Sequence, residues 1–295
     1  MTSENRSQTF EIQARDGHPL RGLLLFPEQA PRAVVQINSA TGAKRSYYRP
    51  FAEFLRDHGF AVCLWDYRGS GESINKPLKD YRDTFADYGL KDMPAILDFL
   101  DQTFPGVPKI AVGHSVGGQL IGLMDNWNKL SGLVTLGTSG GQLRYMPWGY
   151  WFLAVYFFYL FTPLSHVFLG YCAGKKLGHM ENLPTTVVRE WRDWCAEAEY
   201  LFSPKFLGRT IPVGHFKDYH FPVSAYWASD DPIANRRSVA QFWSEIKSTS
   251  SIRIQELKPK DFGLREIAHF GYFRKKFETT LWQELLKDIE SFIAT

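Results

Sequence analysis

IAVGHSVGGQLIG, residues 110–122, sets Gly113, Gly117 and Gly118 around Ser115, between an apolar strand-like run and an apolar helix-like run. Glycine is used where a backbone must bend unusually or approach something closely. The turn therefore either only packs tightly or presents Ser115 for chemistry. Residues 113–117 spell G-x-S-x-G, a pattern common enough by chance to carry little weight alone. Its context carries more. A serine between a strand and a helix sits where a strained turn lifts the hydroxyl above a sheet edge as a nucleophile.

Working outward, the chain alternates. TFEIQA and PLRGLLLF flank Asp16-Gly17 and predict a hairpin. AVVQIN predicts a buried strand, YYRPFAEFLRDHG a helix ending at Gly59, and FAVCLWDY the next strand. An amphipathic helix over FADYGLKDMPAILDFLDQTF precedes the strand KIAVG; GGQLIGLMDNW then predicts a helix and LSGLVTLGTSG a strand. Alternation from Ala33 to about Gly140 implies an α/β fold, a mainly parallel twisted sheet with helices on both faces. The pattern breaks over 142–215, an aromatic-rich, helical stretch, and resumes with FPVSAYWAS, RRSVAQFWSEI, SIRIQEL and LWQELLKDIESFI. We expect a core formed by residues 1–140 and 216–295, interrupted by a helical cap at 141–215 over the open end of the sheet.

Composition narrows the function classes. A net charge of +3, scattered along the chain, gives no footprint for nucleic acid. Cys63, Cys172 and Cys195 form no CxxC pair and suit buried thiols of a reducing compartment. With a polar start, MTSENRSQTFEIQARDG, that predicts a cytoplasmic protein. MPWGYWFLAVYFFYLFTPL, Met146–Leu164, is uncharged over about a membrane-helix length. Pro147, Gly149 and Pro163 break it and aromatics dominate it, which favours a buried or peripherally membrane-touching cap helix over a span.

A serine hydroxyl needs a base, and the base an orienting acid. With the elbow, the chain order is serine, acid, histidine. Of the eight histidines, His166, His179, His215, His220 and His269 follow Ser115. Only His269, in REIAHFGYFR, lies between the last predicted strand and the last helix, where the base belongs. The acid should leave the strand FPVSAYWA: Asp231, before Pro232, is favoured and Asp230 is the alternative. Two N–H donors must face the developing oxyanion. Val116, at the start of the elbow helix, is one; Ala40 or Thr41, in NSATG, is the other. DYRGSGES lacks a P-loop lysine and reads as a structural turn with Asp66 and Arg68 paired. Neither metal-ligand spacing nor a cofactor motif is present, so none is expected.

GHSVGG, DYRGSGES, DDP and the late His269 together resemble the α/β-hydrolase superfamily. INSATGAKRSYYRPFAEFL, LGYCAGKKLGHMENLP and IAHFGYFR are similar to bacterial serine hydrolases of the serine aminopeptidase and monoacylglycerol lipase branch. Many relatives carry His-Gly where this chain has NSATG. The resemblance implies hydrolysis of an ester, thioester or amide through an acyl-enzyme. The expected activity is that of a serine hydrolase on a small, fairly apolar carboxylic ester, with Trp148, Trp151, Phe152, Phe157 and Phe158 walling its pocket. Aminopeptidase-like amide hydrolysis, acyl transfer and a non-catalytic binding protein are the alternatives.

Overall fold

Strands β3 (Val34–Asn38), β4 (Ala61–Trp65) and β5 (Lys109–His114) bury every residue, with apolar side chains directed to both faces. Such continuous runs belong to parallel strands covered on two sides. The computed structural model describes residues 6–178 and 180–293. Its sheet also holds β1 (Ser7–Gln13), β2 (Pro19–Leu25), β6 (Leu130–Leu136), β7 (Val223–Ala228) and β8 (Ile252–Leu257), in the order β1-β2-β4-β3-β5-β6-β7-β8. β1 and β2 form the expected hairpin, with Gln13 opposite Pro19, and β2 runs antiparallel to β4. Every later pairing is parallel. This is the mainly parallel sheet that the resemblance to α/β hydrolases implies.

Alternate residues of β3 feed two cores: Val34 packs on one face with Ala61 and Ala111, and Val35 on the other with Val62 and Ile110. The helices Met93–Thr103 and Leu281–Ser291 cover opposite faces. Loops at the carboxyl ends of β3, β5, β7 and β8 therefore meet at one edge, the usual ligand edge of such sheets.

Local structure departs from the sequence reading in three places. The helix after Ser115 is one turn, Val116–Gln119, followed by a 3₁₀ turn, Leu120–Leu123, rather than a helix through GGQLIGLMDNW. Gly122 explains the early exit. A Cβ there would lie 2.2 Å from the Phe216 ring, and its carbonyl accepts the His215 N–H, so incoming chain occupies the continuing path. The aromatic run is not broken; Trp148–Leu169 is one 22-residue helix. Pro147 caps its start, and a π turn over Phe157–Phe161 re-phases it so that Pro163 falls in the first turn of the next α segment, where a missing N–H is tolerated.

The third departure concerns Asp66 and Arg68, which do not pair with each other. The glycine turn folds back so that Asp66 receives the Glu72 N–H and pairs with Arg45 at 2.8 Å. Arg68 is buried and pairs instead with Asp16, Asp83 and Asp92. Burial pushes the Asp92 carboxyl up to about 6.

Residues between β6 and β7 lie against one core face. Phe157 and Phe158 pack on Trp191 of the helix Thr185–Ala196. Polar ties fasten this region to the sheet domain, among them Tyr200 Oη to Gln119 at 3.1 Å, the Ala86 N–H to Glu190 at 2.8 Å, and the Glu181 N–H to the Gly42 carbonyl at 2.9 Å.

Candidate active site

Ser115 sits between β5 and the one-turn helix with φ 52° and ψ −115°. Such a backbone costs a non-glycine residue about 1–3 kcal/mol and persists only where its surroundings over-determine it. Here its N–H donates to the Leu136 carbonyl at 3.0 Å, and its own carbonyl accepts from the Gly118 amide and the Thr138 hydroxyl, each at 3.0 Å. None of the three glycines supplies the unusual φ; they supply space. A Cβ on Gly113 would lie 2.5 Å from Gly118, one on Gly117 2.1 Å from the Asn38 carbonyl oxygen, and one on Gly118 2.3 Å from Thr138 Oγ1.

Asp231 leaves β7 and is buried. Its Oδ1 accepts the Ile233 and Ala234 amides at 2.8 and 2.9 Å, while Oδ2 accepts His269 Nδ1 at 2.7 Å and the Tyr272 hydroxyl at 3.3 Å. Four donors are a full set for an acceptor-only carboxylate. With Nδ1–H engaged, Nε2 is the basic nitrogen of His269. The ring lies beside Gly137, the residue after β6, where a Cβ would come within 3.2 Å of His269 Cε1. The residue before it, Leu136, is the one that receives the Ser115 amide.

Asp230 takes the other task. Its carboxylate accepts the Ile267 N–H at 2.9 Å and the Ala268 N–H at 3.1 Å, holding the turn that carries His269. Ala268 itself has a positive φ of 50°, a second strained residue next to the site. Among the other later histidines, His166 bonds Thr185, while His215 and His220 lie against Trp127. His179 lies outside the described residues.

At the end of β3, the Ala40 N–H donates to Tyr48 Oη at 2.8 Å. That amide is taken, so of the two expected donors only Thr41 stays available. Val116 opens its helix, and its N–H has no acceptor within that helix.

Tyr48 belongs to a relay that the sequence reading missed. Its hydroxyl receives the Ala40 N–H, so its proton goes to His114 Nδ1 at 2.8 Å; His114 then donates Nε2–H to the His269 carbonyl at 2.7 Å. One chain of hydrogen bonds thus joins the β3 loop, the residue before Ser115 and the His269 loop. Burial, and then the neighbouring His269, push the His114 imidazole down to about 3, so it is neutral. The adjacent Tyr47 hydroxyl donates to the Phe270 carbonyl. The SYY of RSYYRP and the His of GHS were the available signals, but their partners are remote in sequence.

The aromatics expected to wall a pocket divide. Phe157 and Phe158 turn inward, whereas Trp148 and Phe152 are 73% and 51% exposed and wall no pocket. Tyr150 is the helix's inward residue near the site: burial, and then the Asp231 charge, push its hydroxyl up to about 12. A cleft of about 500 Å³ elsewhere, lined by Lys44, Arg45, Asp66 and Glu72, contains none of these residues, and its cations are already paired. No group of three or more His, Cys, Asp or Glu gathers as a metal site among the described residues.

Residues 29–180, just over half of the chain, match the family described as serine aminopeptidase, S33. A monoglyceride lipase homolog of Monkeypox virus is 29% identical over 112 residues, which is 37% of this chain and 40% of the viral protein. The chain thus spans well under half the length of that relative. Among solved structures, a carboxyl esterase from Bacillus coagulans superposes with a TM-score of 0.62 at 17% identity, covering 98% of this chain and 99% of the esterase. Alpha/beta hydrolase domain-containing protein 10 from mouse gives 0.59 at 18% identity, covering 96% and 99%. At these identities the superpositions speak for the fold, and the family match reaches further: the chain belongs to the serine aminopeptidase S33 family of α/β hydrolases.

Proposed function

We propose that this hydrolase cleaves carboxylic esters of a fairly apolar small substrate through an acyl-enzyme on Ser115. The observation that carries the reading is the 2.7 Å contact between His269 and buried Asp231, on a loop hydrogen-bonded to the residue preceding a strained serine. His269 Nε2 takes the hydroxyl proton as Ser115 Oγ bonds to the ester carbon. The oxyanion is received by the amides of Val116 and Thr41. Collapse breaks the bond between the former carbonyl carbon and the alkoxy oxygen, and the alcohol leaves with the proton from His269. Water then repeats the sequence, and the carboxylic acid departs. Asp231 fixes the tautomer of His269 and stabilises the imidazolium.

Ester cleavage is favoured over aminopeptidase action because the acidic groups in view are committed. Asp230 holds the amides of Ile267 and Ala268, and Glu190 holds that of Ala86, so both already carry structural hydrogen bonds that a substrate ammonium would have to share. The three buried, unpaired cysteines support a cytoplasmic setting.

A fluorophosphonate probe should label the protein and fail to label Ser115→Ala. Labelling that survives the substitution, or no labelling of the wild type, refutes the assignment. Turnover of p-nitrophenyl esters of graded chain length, beside aminoacyl anilides, decides the bond class: faster anilide cleavage would replace the esterase reading with the peptidase one.

A further inference from the structure

The helix Trp148–Leu169 is apolar on nearly every side, with Thr162, Ser165 and His166 bonded to Cys172, Tyr171 and Thr185, yet only 28% of its apolar window is buried. Helices apolar on all sides are normally enclosed by a core or a bilayer. Here the inner face is fixed on Trp191 by Phe157 and Phe158, so the helix cannot turn to cross a membrane without unpacking the cap. The outer face presents Trp148, Phe152, Tyr156, Leu160, Val167 and Phe168, with the last two 75% and 79% exposed. A stripe about 33 Å long, at ~1.5 Å per residue, is far more than a scattered exposed side chain.

Charge identifies the occupant. From Asn126 to Met180 the sequence contains no Asp or Glu, but it carries Lys129, Arg144, Lys175 and Lys176. Arg144 precedes the helix and Lys175 and Lys176 follow it, all exposed, and Lys79 packs against Gly170 at its end. A second copy laid antiparallel on this face would bring Arg144 toward Lys175 and Lys176, with no carboxylate in the segment to pair with them. Lys129 is already held by Asp98 and Asp101, and Lys175 lies 4.0 Å from Glu181, while Arg144 and Lys176 form no ion pair among the described residues. Anionic headgroups satisfy these two cations and can share Lys175 while acyl chains cover the stripe. Trp148, Tyr156 and Tyr159 are side chains that favour the membrane boundary.

We propose that this outer face docks the protein flat on a lipid bilayer bearing anionic headgroups. The proposal concerns binding and stands whether or not Ser115 is a nucleophile.

The test is co-sedimentation of the full chain with vesicles of phosphatidylcholine alone and of phosphatidylcholine mixed with phosphatidylglycerol. Wild type should partition onto the mixed vesicles and more weakly onto the neutral ones. Val167→Asp with Phe168→Asp, both at exposed positions outside the proposed catalytic machinery, should reduce partitioning at least ~10-fold. Turnover of a short, soluble p-nitrophenyl ester by that variant should match wild type, showing an intact fold. Lys175→Gln and Lys176→Gln should each cost about fivefold on the mixed vesicles only. Sedimentation of wild type with neither vesicle overturns the proposal. So does a stable dimer in lipid-free ultracentrifugation that the Val167/Phe168 substitutions dissociate, because a second copy would then cover the face.

Discussion

Acidification to pH 5 should destabilise this protein through His114, by an amount that can be isolated. The imidazole is fully buried, and its folded-state value is pushed down to about 3 from the usual 6.5, first by burial and then by His269. A depressed value means that the unfolded chain binds the proton more tightly, so stability is complete above pH 6.5 and lost as pH falls toward 3. From pH 7 to pH 5 the proton uptake of the unfolded state outpaces that of the folded state by nearly one and a half pH units. At ~1.4 kcal/mol per unit this amounts to about 2 kcal/mol. His18, buried against the Ser73 carbonyl, is also pushed down by burial, so wild type alone does not isolate the effect. The comparison is with His114→Gln, which offers an N–H to the His269 carbonyl and has no proton to gain. Its lost bond from Tyr48 costs the same at both pH values and cancels. Urea unfolding of both proteins at pH 7 and pH 5 should show the drop in stability smaller by about 2 kcal/mol in the variant. Equal drops in the two proteins would refute a neutral, proton-resisting His114 and the tautomer assigned to it.

Tyr48→Phe leaves the Ala40 N–H and His114 Nδ1 unpaired in a buried site, which should cost about 2–4 kcal/mol in urea unfolding and lower kcat through the displaced β3 loop. Unchanged stability would argue against the relay. Asp231→Asn should reduce kcat by about four orders of magnitude by disturbing the His269 tautomer. Asp230→Asn keeps an acceptor for the loop amides and should reduce kcat far less; the reverse ranking in steady-state kinetics would exchange their roles. Gly117→Ala places a methyl 2.1 Å from the Asn38 carbonyl oxygen, so the β3 loop or the elbow must shift. We expect both a lowered Tm and loss of fluorophosphonate labelling; wild-type labelling would show that the close approach is dispensable.

Much of this architecture was legible because its signals are local. Glycines at 113, 117 and 118 between an apolar strand and helix specify an elbow, and strand-helix alternation specifies the parallel sheet. The misses share a different cause: each depended on a partner distant in sequence. Asp66 and Arg68 are neighbours in the chain, but Arg45 claims one and Asp16, Asp83 and Asp92 claim the other. Asp230 and Asp231 look equivalent in a turn; they are separated only by what meets them from residues 267–272. Ala40 and Thr41 were equivalent until Tyr48 claimed one amide. Pro163 predicts a break, and the π turn that absorbs it has no sequence signature comparable to a proline.

Two strained residues frame the site, Ser115 at φ 52° and Ala268 at φ 50°, and neither is a glycine. Relaxation of either would move the hydroxyl or the imidazole, so the surrounding contacts must hold both. The contacts come from different elements. Leu136 and Thr138, at and beyond the end of β6, bond the Ser115 backbone, while Asp230, after β7, bonds the Ala268 amide. Tyr47 fixes the carbonyl of Phe270, and Tyr48 acts through His114 on that of His269. Since His114 adjoins Ser115 in the chain, strain at the serine and strain at the histidine loop are held by one connected network. A loosened bond anywhere in it should therefore reach the side chains of both Ser115 and His269, and Tyr48 and His114, which join the β3 loop to the His269 loop, are where such a loosening would travel furthest.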